Sequence, residues 1–252
     1  MYPVAFHIGS HVVYWYGVMI VLACVAGELL LLWFAWREGI AWDMALLWTI
    51  LLLVGGRAGA HLGGLVRDSL LGGSIVNPLA HKGQVSYGVF VGIVAAGWIC
   101  ARLMRLSLWK LLDLAAPSVA LGFAITRIGC FLTGCCYGRP TNLPWGVVFP
   151  PFSPAWLAFG DTPVHPVQLY SSLGNLVLFA ALLALRRRQR FDGFLFLSWA
   201  ALYAVLRFVL EMFRADPRVA LGLTAAQLAN LVIAPLALAL LWVKGRGRGA
   251  EN

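Results

Sequence analysis

The stretch VVYWYGVMIVLACVAGELLLLWFA, residues 12–35, decides the fold class, because it contains a single charged side chain, Glu28. A helix needs roughly 20 mostly apolar residues to cross the hydrocarbon core of a membrane. It also satisfies its own backbone hydrogen bonds, which lipid cannot do. This stretch therefore predicts a transmembrane helix. No lysine or arginine precedes it, whereas a cleaved signal peptide begins with basic residues, so we expect the helix to be retained.

The composition extends this prediction to the whole chain of 252 residues, of which 61% are hydrophobic and 12% charged. Soluble domains carry about 25% charged residues. The alternating pattern of a membrane β-barrel is missing from the sequence. Six further apolar blocks follow the first, at about 43–65, 85–104, 110–136, 166–185, 193–213 and 222–243. We therefore predict an all-α polytopic membrane protein of seven transmembrane helices in one domain, residues 1–252.

The basic residues predict the orientation of this chain, whose formal net charge is +9. If the N-terminus lies outside, the inner segments hold 11 lysines and arginines and the outer segments hold 5. Positive residues favour the cytoplasmic side, so we expect the N-terminus outside and the C-terminus inside. The long connections at about 66–84 and 137–165 then face the periplasm. Attraction to anionic inner-leaflet lipid explains the positive charge, and no nucleic-acid partner is expected.

Three arginines, Arg57, Arg127 and Arg207, lie within predicted spans. Each costs at least about 2.5–3.5 kcal/mol at the bilayer centre unless it meets a partner. Tyr203, Arg207 and Glu211 follow the spacing i, i+4, i+8 and share one helix face. Glu211 then either neutralises Arg207 for insertion or takes part in a site. Buried arginines outnumber buried acids, which favours an anionic ligand such as a phospholipid headgroup, since guanidinium groups bind phosphate well.

Two stretches, one rich in glycine and one rich in cysteine, each allow more than one interpretation. The five glycines of GGRAGAHLGG, residues 55–64, allow either close helix packing or the approach of a lipid chain. Cys130, Cys135 and Cys136 are either small helix fillers, or a thiolate activated by a nearby arginine, or ligands of a soft metal ion. No C-x-x-C pair and no histidine-rich tract supports a zinc site, so we assign no metal ligand.

The run ITRIGCFLTGCCYGRPTNLPWG, residues 125–146, is the most specific of several motifs that together resemble the prolipoprotein diacylglyceryl transferase family. The other matching pieces are VYWYGVMI (13–20), GGRAGA (55–60), VHPVQLY (164–170), LYAVLRFVLEMFRADP (202–217) and LTAAQLANLVI (223–233). Their order and spacing cover nearly the whole chain. The resemblance implies seven spans, which agrees with the apolar blocks.

The resemblance also implies a reaction, in which the diacylglyceryl group of phosphatidylglycerol, or a related anionic phospholipid, moves onto the lipobox cysteine of a preprolipoprotein. It implies a multi-pass protein of the bacterial inner membrane, and we expect no cofactor. The catalytic residues we predict are Arg127, Arg207, Tyr203, Tyr87 and Cys135. The substrate-binding residues we predict are Tyr16, Arg57, Cys130, Gly138, Arg139, His165 and Glu211.

The chain departs from the family pattern at several polar positions. Tyr87, in VSYGVF, stands where the family carries a functional histidine, and a phenol with a pKa near 10 is a poor base at neutral pH. Cys130, Thr133 and Cys135 stand where the family has two amides and a carboxylate, and Ser171 replaces an expected acid. These changes leave two alternatives open: a family member that uses another acceptor, or a non-enzymatic membrane protein that handles lipids or thiophilic metal ions.

Overall fold

A computed structural model describes residues 4–71 and 86–247. Two short strands come first, β1 (Val4–Ile8) and β2 (His11–Tyr14). Eight helices follow: α1 (Trp15–Arg37), α2 (Trp42–Leu71), α3 (Ser86–Leu103), α4 (Leu108–Thr133), α5 (Pro154–Phe159), α6 (Val167–Arg186), α7 (Phe194–Glu211) and α8 (Ala225–Gly247). The chain divides into two compact units, one of residues 1–30 with 113–252 and one of residues 31–112.

The helical membrane architecture predicted from the sequence is confirmed. In the described part of the chain, 6 helices are long and apolar enough to cross a membrane: α1, α2, α4, α6, α7 and α8. The predicted span at 85–104 corresponds to α3, whose apolar part, Val91–Leu103, is shorter. The protein is therefore a multi-pass membrane protein, and the count of seven spans stays a prediction.

Three features of the backbone were not predicted. Strands β1 and β2 form an antiparallel hairpin before α1, with Gly9 in the left-handed region at φ +59°. Helix α2 continues to Leu71, so the predicted outer connection at 66–84 begins inside a helix, and its residues 72–84 lie outside the described residues. The connection at 137–165 contains the short helix α5.

The predicted end of the fourth span, residue 136, was wrong, because α4 ends at Thr133. Gly134 adopts φ +72° and donates its N–H to the carbonyl of Phe131. The N–H of Cys135 returns to the carbonyl of Cys130, at 3.1 Å. These two bonds form a Schellman cap, which satisfies the last carbonyls of a helix and reverses the chain. Cys135 and Cys136 therefore lie beyond the helix and not within it.

In the unit of residues 31–112, glycines let α2 and α3 pack backbone against backbone. A Cβ added to Gly55 would lie 2.7 Å from the carbonyl oxygen of Gly92. One added to Gly59 would lie 2.8 Å from the Cα of the same Gly92 and would overlap the carbonyl oxygen of Gly88. Small residues allow this approach between membrane helices. Of the two interpretations of the glycine-rich stretch, the structure supports helix packing.

In the other unit, the side chain of Asp113 fixes the start of α7. Asp113 is 2% exposed. Its carboxylate accepts hydrogen bonds from the backbone N–H of Gly193 at 2.7 Å, the backbone N–H of Phe196 at 2.8 Å and the side-chain amide of Gln189 at 2.8 Å. A carboxylate at this end of a helix satisfies free N–H groups and interacts favourably with the helix dipole. The residues Ala116, Ala120, Leu182 and Leu195 form a buried cluster in the same unit.

Replacing Asp113 by alanine should lower the free energy of unfolding by about 2–3 kcal/mol, because one buried and two partly buried donors lose a charged acceptor. Unfolding in detergent micelles, followed by circular dichroism, measures the change. The exposed Asp43 at the start of α2 gives the matched control, and its replacement by alanine should cost less than about 1 kcal/mol. Equal effects of the two replacements would contradict the assigned role of Asp113.

Candidate functional site

The charged face predicted for the sixth apolar block is present on α7. A guanidinium nitrogen of Arg207 lies 2.5 Å from a carboxylate oxygen of Glu211. The side chain of Glu211 is 0% exposed and that of Arg207 is 21% exposed. Tyr203, one turn earlier, stacks its ring on Trp199 at 5.4 Å between ring centroids. The predicted ion pair is therefore confirmed, and its carboxylate is fully buried.

Arg214 joins this ion pair, although the sequence analysis did not select it. Its Nε lies 3.4 Å from the same oxygen of Glu211 and 2.7 Å from Asp216. A second nitrogen of Arg214 donates to the other oxygen of Asp216 at 3.3 Å, so the guanidinium group binds this carboxylate in a bidentate manner. The side chain of Arg214 is 11% exposed. Its spacing of three residues from Glu211 was the signal in the sequence that could have identified it.

Arg127 and Tyr16 approach the same region from α4 and α1. The two helices pack closely at Gly129, where an added Cβ would lie 2.9 Å from Met19 and 3.4 Å from the Cα of Tyr16. Arg127 is half-buried one helical half-turn before this contact. It is near enough to Arg207 and to Tyr16 to interact with both electrostatically. Electrostatic influence therefore links Tyr16 and Arg127 to Arg207 on the charged face of α7, and the roles assigned to these residues stay predictions.

The segment after α4 binds the end of α7 through backbone contacts. Gly138 donates its N–H to the carbonyl of His165 at 3.1 Å, and Arg139 donates its N–H to the carbonyl of Phe213 at 2.8 Å. The side chain of Arg139 donates through Nε to the carbonyl of Arg214 at 2.8 Å. Gly138 and Arg139, both predicted to bind substrate, thus hold Arg214 and its neighbours in place.

His165 lies at the edge of this region in an aromatic environment. Its Nδ1 is 3.4 Å from the hydroxyl of Tyr170, which accepts a hydrogen bond from the indole of Trp145 at 2.7 Å. The His165 ring also meets the ring of Phe213, with 5.2 Å between centroids. Burial lowers the pKa of His165 below its ordinary value of 6.5, so the neutral ring is favoured at pH 7. A neutral imidazole can accept a proton, whereas a protonated one cannot.

Cys130, Cys135 and Cys136 form a thiol cluster, in which all three sulfur atoms lie within 4.8 Å of one another. Cys130 is buried, the other two are half-buried, and all three are free thiols. Hydrogen bonds from the Cys130 and Cys135 thiols lower the pKa of Cys136, and the charges of Arg214 and Arg127 act in the same direction. From the sequence alone these cysteines could be helix fillers, a reactive thiolate or metal ligands, and the convergence of their three sulfur atoms was not predicted.

Two predicted site residues belong to the other unit. The side chain of Arg57 in α2 is exposed, so the structure does not confirm the buried environment expected for it. Helix α3 includes Tyr87, whose side chain lies outside the described part of the structure. The roles assigned to both residues stay predictions.

The charges at the site favour an anion. Arg127, Arg207 and Arg214 carry three positive charges, whereas Glu211 and Asp216 carry two negative ones. Asp216 is engaged by Arg214, and Glu211 lies between Arg207 and Arg214. Among the residues that the structure describes, Arg127 forms no salt bridge. A phosphate group, which guanidinium groups bind through paired hydrogen bonds, would neutralise the remaining positive charge.

Comparison with known proteins identifies one family that matches nearly the full length of the chain. Residues 3–243 match the family described as prolipoprotein diacylglyceryl transferase. The chain belongs to this family. A phosphatidylglycerol–prolipoprotein diacylglyceryl transferase of Dehalococcoides mccartyi is 36% identical over 244 residues, which is 94% of this chain and 91% of the relative. Proteins with the same name from Clostridium tetani and Geobacter sulfurreducens are 36% and 34% identical, over 86% and 88% of this chain and 87% and 85% of theirs.

Membership of the diacylglyceryl transferase family explains why the motifs from α1, α4 and α7 occur together. The residues that carry them, Tyr16, Arg127, Gly138, Arg207 and Glu211, lie in one compact unit. The chain is a diacylglyceryl transferase family enzyme of the membrane.

Proposed function

We propose that this enzyme transfers the diacylglyceryl group of phosphatidylglycerol to the lipobox cysteine of a preprolipoprotein in the bacterial inner membrane. The names of its relatives support both substrates. The single observation that carries the proposal is the pair of arginines, Arg207 and Arg214, at the buried carboxylate of Glu211, with Arg127 close enough to Arg207 to act on it electrostatically. A lipid phosphate supplies the negative charge that this group favours, and the surrounding spans give the acyl chains an apolar environment.

Arg127 and Arg207 bind the phosphate of the donor lipid in this proposal. The acceptor thiolate attacks the glycerol carbon that carries the phosphate oxygen, so that a carbon–sulfur bond forms and the carbon–oxygen bond breaks. The headgroup leaves as glycerol phosphate, and the thiol proton passes to a base before or during the attack. Positive groups fixed around the phosphate stabilise the charge that develops on this leaving group.

The remaining predicted residues support these steps. Tyr16 and Tyr203 lie beside the arginines and present hydroxyl groups for the headgroup, while Gly138 and Arg139 position the end of α7. Glu211 holds Arg207 and Arg214 in a fixed orientation. Cys130, Cys135, His165, Arg57 and Tyr87 keep the catalytic or binding roles predicted for them above. Seven spans, with the N-terminus in the periplasm and the C-terminus in the cytoplasm, orient the site toward the periplasmic face.

Replacing Arg207 by alanine should lower the rate of transfer by about 100- to 1,000-fold, the effect of removing one group that stabilises transition-state charge. The assay follows labelled phosphatidylglycerol and a lipobox peptide in detergent micelles. Arg207→Lys should recover only part of the rate. An ammonium group keeps the positive charge but lacks the planar geometry with which a guanidinium group makes two parallel hydrogen bonds. Arg127→Ala should behave like Arg207→Ala.

The exposed Arg188, after α6, gives the matched control, and Arg188→Ala should keep the rate within about twofold. The wild-type gene should also restore growth to a bacterium depleted of its own transferase. Transfer that is unchanged in both Arg127→Ala and Arg207→Ala would refute the phosphate site. Phospholipid turnover with a different acceptor and none with the lipobox peptide would assign the chain to the alternative acceptor.

A further inference from the structure

The roles proposed above for Cys130 and Cys135 in transfer do not require three converging sulfur atoms, so the thiol cluster offers a second kind of chemistry beside the phosphate site. Cys130 lies in the last turn of α4, and Cys135 and Cys136 follow the end of that helix. All three sulfur atoms lie within 4.8 Å of one another. Metal–sulfur bonds are about 2.3 Å long, which places three sulfurs of one ion roughly 4 Å apart. The cluster therefore needs to contract by less than about 1 Å to bind one ion.

The backbone holds the sulfurs in this arrangement. Cys136 adopts φ +57°, a conformation that costs a residue other than glycine about 1–3 kcal/mol and that concentrates at functional sites. The Schellman cap at Gly134 reverses the chain toward Cys130. The buried side chain of Gln168 donates a hydrogen bond to the carbonyl of Cys135 at 2.8 Å. A site formed in advance loses little entropy when a ligand binds.

The donor set selects the class of ion. Thiolates are soft ligands, which prefer Cu(I), zinc or iron–sulfur clusters to hard ions such as magnesium. Structural zinc almost always takes four protein ligands. Among the described histidine, cysteine and carboxylate side chains, the group of potential ligands here consists of the three cysteines. Three sulfur donors match a cuprous ion, which accepts trigonal coordination.

The surrounding charges favour the same ion. Three thiolates around Cu(I) carry a net charge of −2, which is costly in an apolar environment unless positive groups lie nearby. Arg214 and Arg127 are close enough to Cys136 to act on it electrostatically. The arginines therefore stabilise the anionic complex that a monovalent ion leaves. We propose that Cys130, Cys135 and Cys136 form a trigonal binding site for a cuprous ion.

The test is a titration of the purified full chain with Cu(I) in detergent micelles, without oxygen and in competition with a coloured Cu(I) chelator. The wild type should retain one Cu(I) per chain. Cys136→Ser and Cys135→Ser should each weaken binding at least about 100-fold, because each removes one of three donors. Cys24→Ser and Cys100→Ser, which change the other two cysteines, give the matched control and should leave the affinity unchanged. The titration measures Cu(I) binding and not transfer, so a failure of the metal site can be distinguished from a failure of the proposed function.

X-ray absorption of the Cu(I)-loaded wild type decides the case even if a serine variant does not fold. Three sulfur neighbours at about 2.3 Å are expected. Two sulfur neighbours, or neighbours that are mainly nitrogen or oxygen, would overturn the proposal. Unchanged Cu(I) binding in the Cys135→Ser, Cys136→Ser double variant would overturn it too, as would retention of zinc in preference to Cu(I).

Discussion

Glu211→Ala should lower the free energy of unfolding by about 3–5 kcal/mol, the usual cost of removing one partner of a buried ion pair. The side chain of Glu211 is 0% exposed and its carboxylate lies between Arg207, at 2.5 Å, and Arg214, at 3.4 Å. Without it, two guanidinium groups repel each other in a region that water reaches poorly. Transfer activity should fall with stability, because Arg207 loses its fixed orientation. Denaturant unfolding in micelles and the lipobox peptide assay measure the two effects.

Glu38 provides the matched control for this prediction. It forms a salt bridge of 2.6 Å with Lys110, in which both side chains are partly exposed. Exposed pairs of this kind contribute about 0–1 kcal/mol, so Glu38→Ala should have a small effect. Glu211→Gln should be intermediate, since the amide keeps one acceptor oxygen and loses the charge. If the free energy of unfolding of Glu211→Ala lies within about 1 kcal/mol of the wild-type value, the carboxylate does not hold the arginines together.

Gly138→Ala should abolish most of the transfer activity, because a Cβ at this position has no room. It would lie 2.6 Å from the Cβ of His165 and 2.7 Å from the carbonyl oxygens of His165 and Phe213. Two of these atoms belong to the backbone, so the segment after α4 would have to move away from the end of α7. A displacement of about 1 Å in a catalytic site can lower the rate about 100-fold. We expect a loss of at least that size, with about 1–3 kcal/mol of stability.

Gly122→Ala tests whether the effect comes from crowding or from the loss of any glycine. A Cβ on Gly122, inside α4, would lie 3.9 Å from the carbonyl oxygen of Ala23, an ordinary contact. Because alanine favours the helix by up to about 1 kcal/mol over glycine, this variant should be as stable as the wild type or more so. Wild-type transfer by Gly138→Ala would show that the segment adjusts and does not position the site.

The membrane helices were predictable because long apolar runs leave few other structures open to a chain in lipid. The charged face of α7 was also predictable, because residues four apart in a helix must lie on one side. Tyr203, Arg207 and Glu211 therefore needed no tertiary information. Arg127 was predictable as an arginine inside an apolar block, whereas the resemblance to the transferase family supplied Tyr16 and Gly138. All three residues lie in one unit with α7.

The sequence could not predict features that depend on how the chain turns. The apolar run of the fourth block continues to Cys136. Hydropathy gives no sign that Gly134 caps the helix, which ends at Thr133, three residues before Cys136. The convergence of the three thiols follows from this cap, so it was missed with it. Arg214 was assigned to an outer connection beyond the sixth apolar block, so its spacing of three residues from Glu211 was not used, although the two side chains form an ion pair.

The close contact of α2 and α3 has a mechanical consequence for the unit of residues 31–112. Backbone atoms set the distance between these helices at Gly59 and Gly92, and at Gly55 the Cβ of Ala96 joins them. No change of rotamer can widen or narrow such a contact. The two helices therefore behave as one rigid pair, so any motion of this unit displaces both of them together.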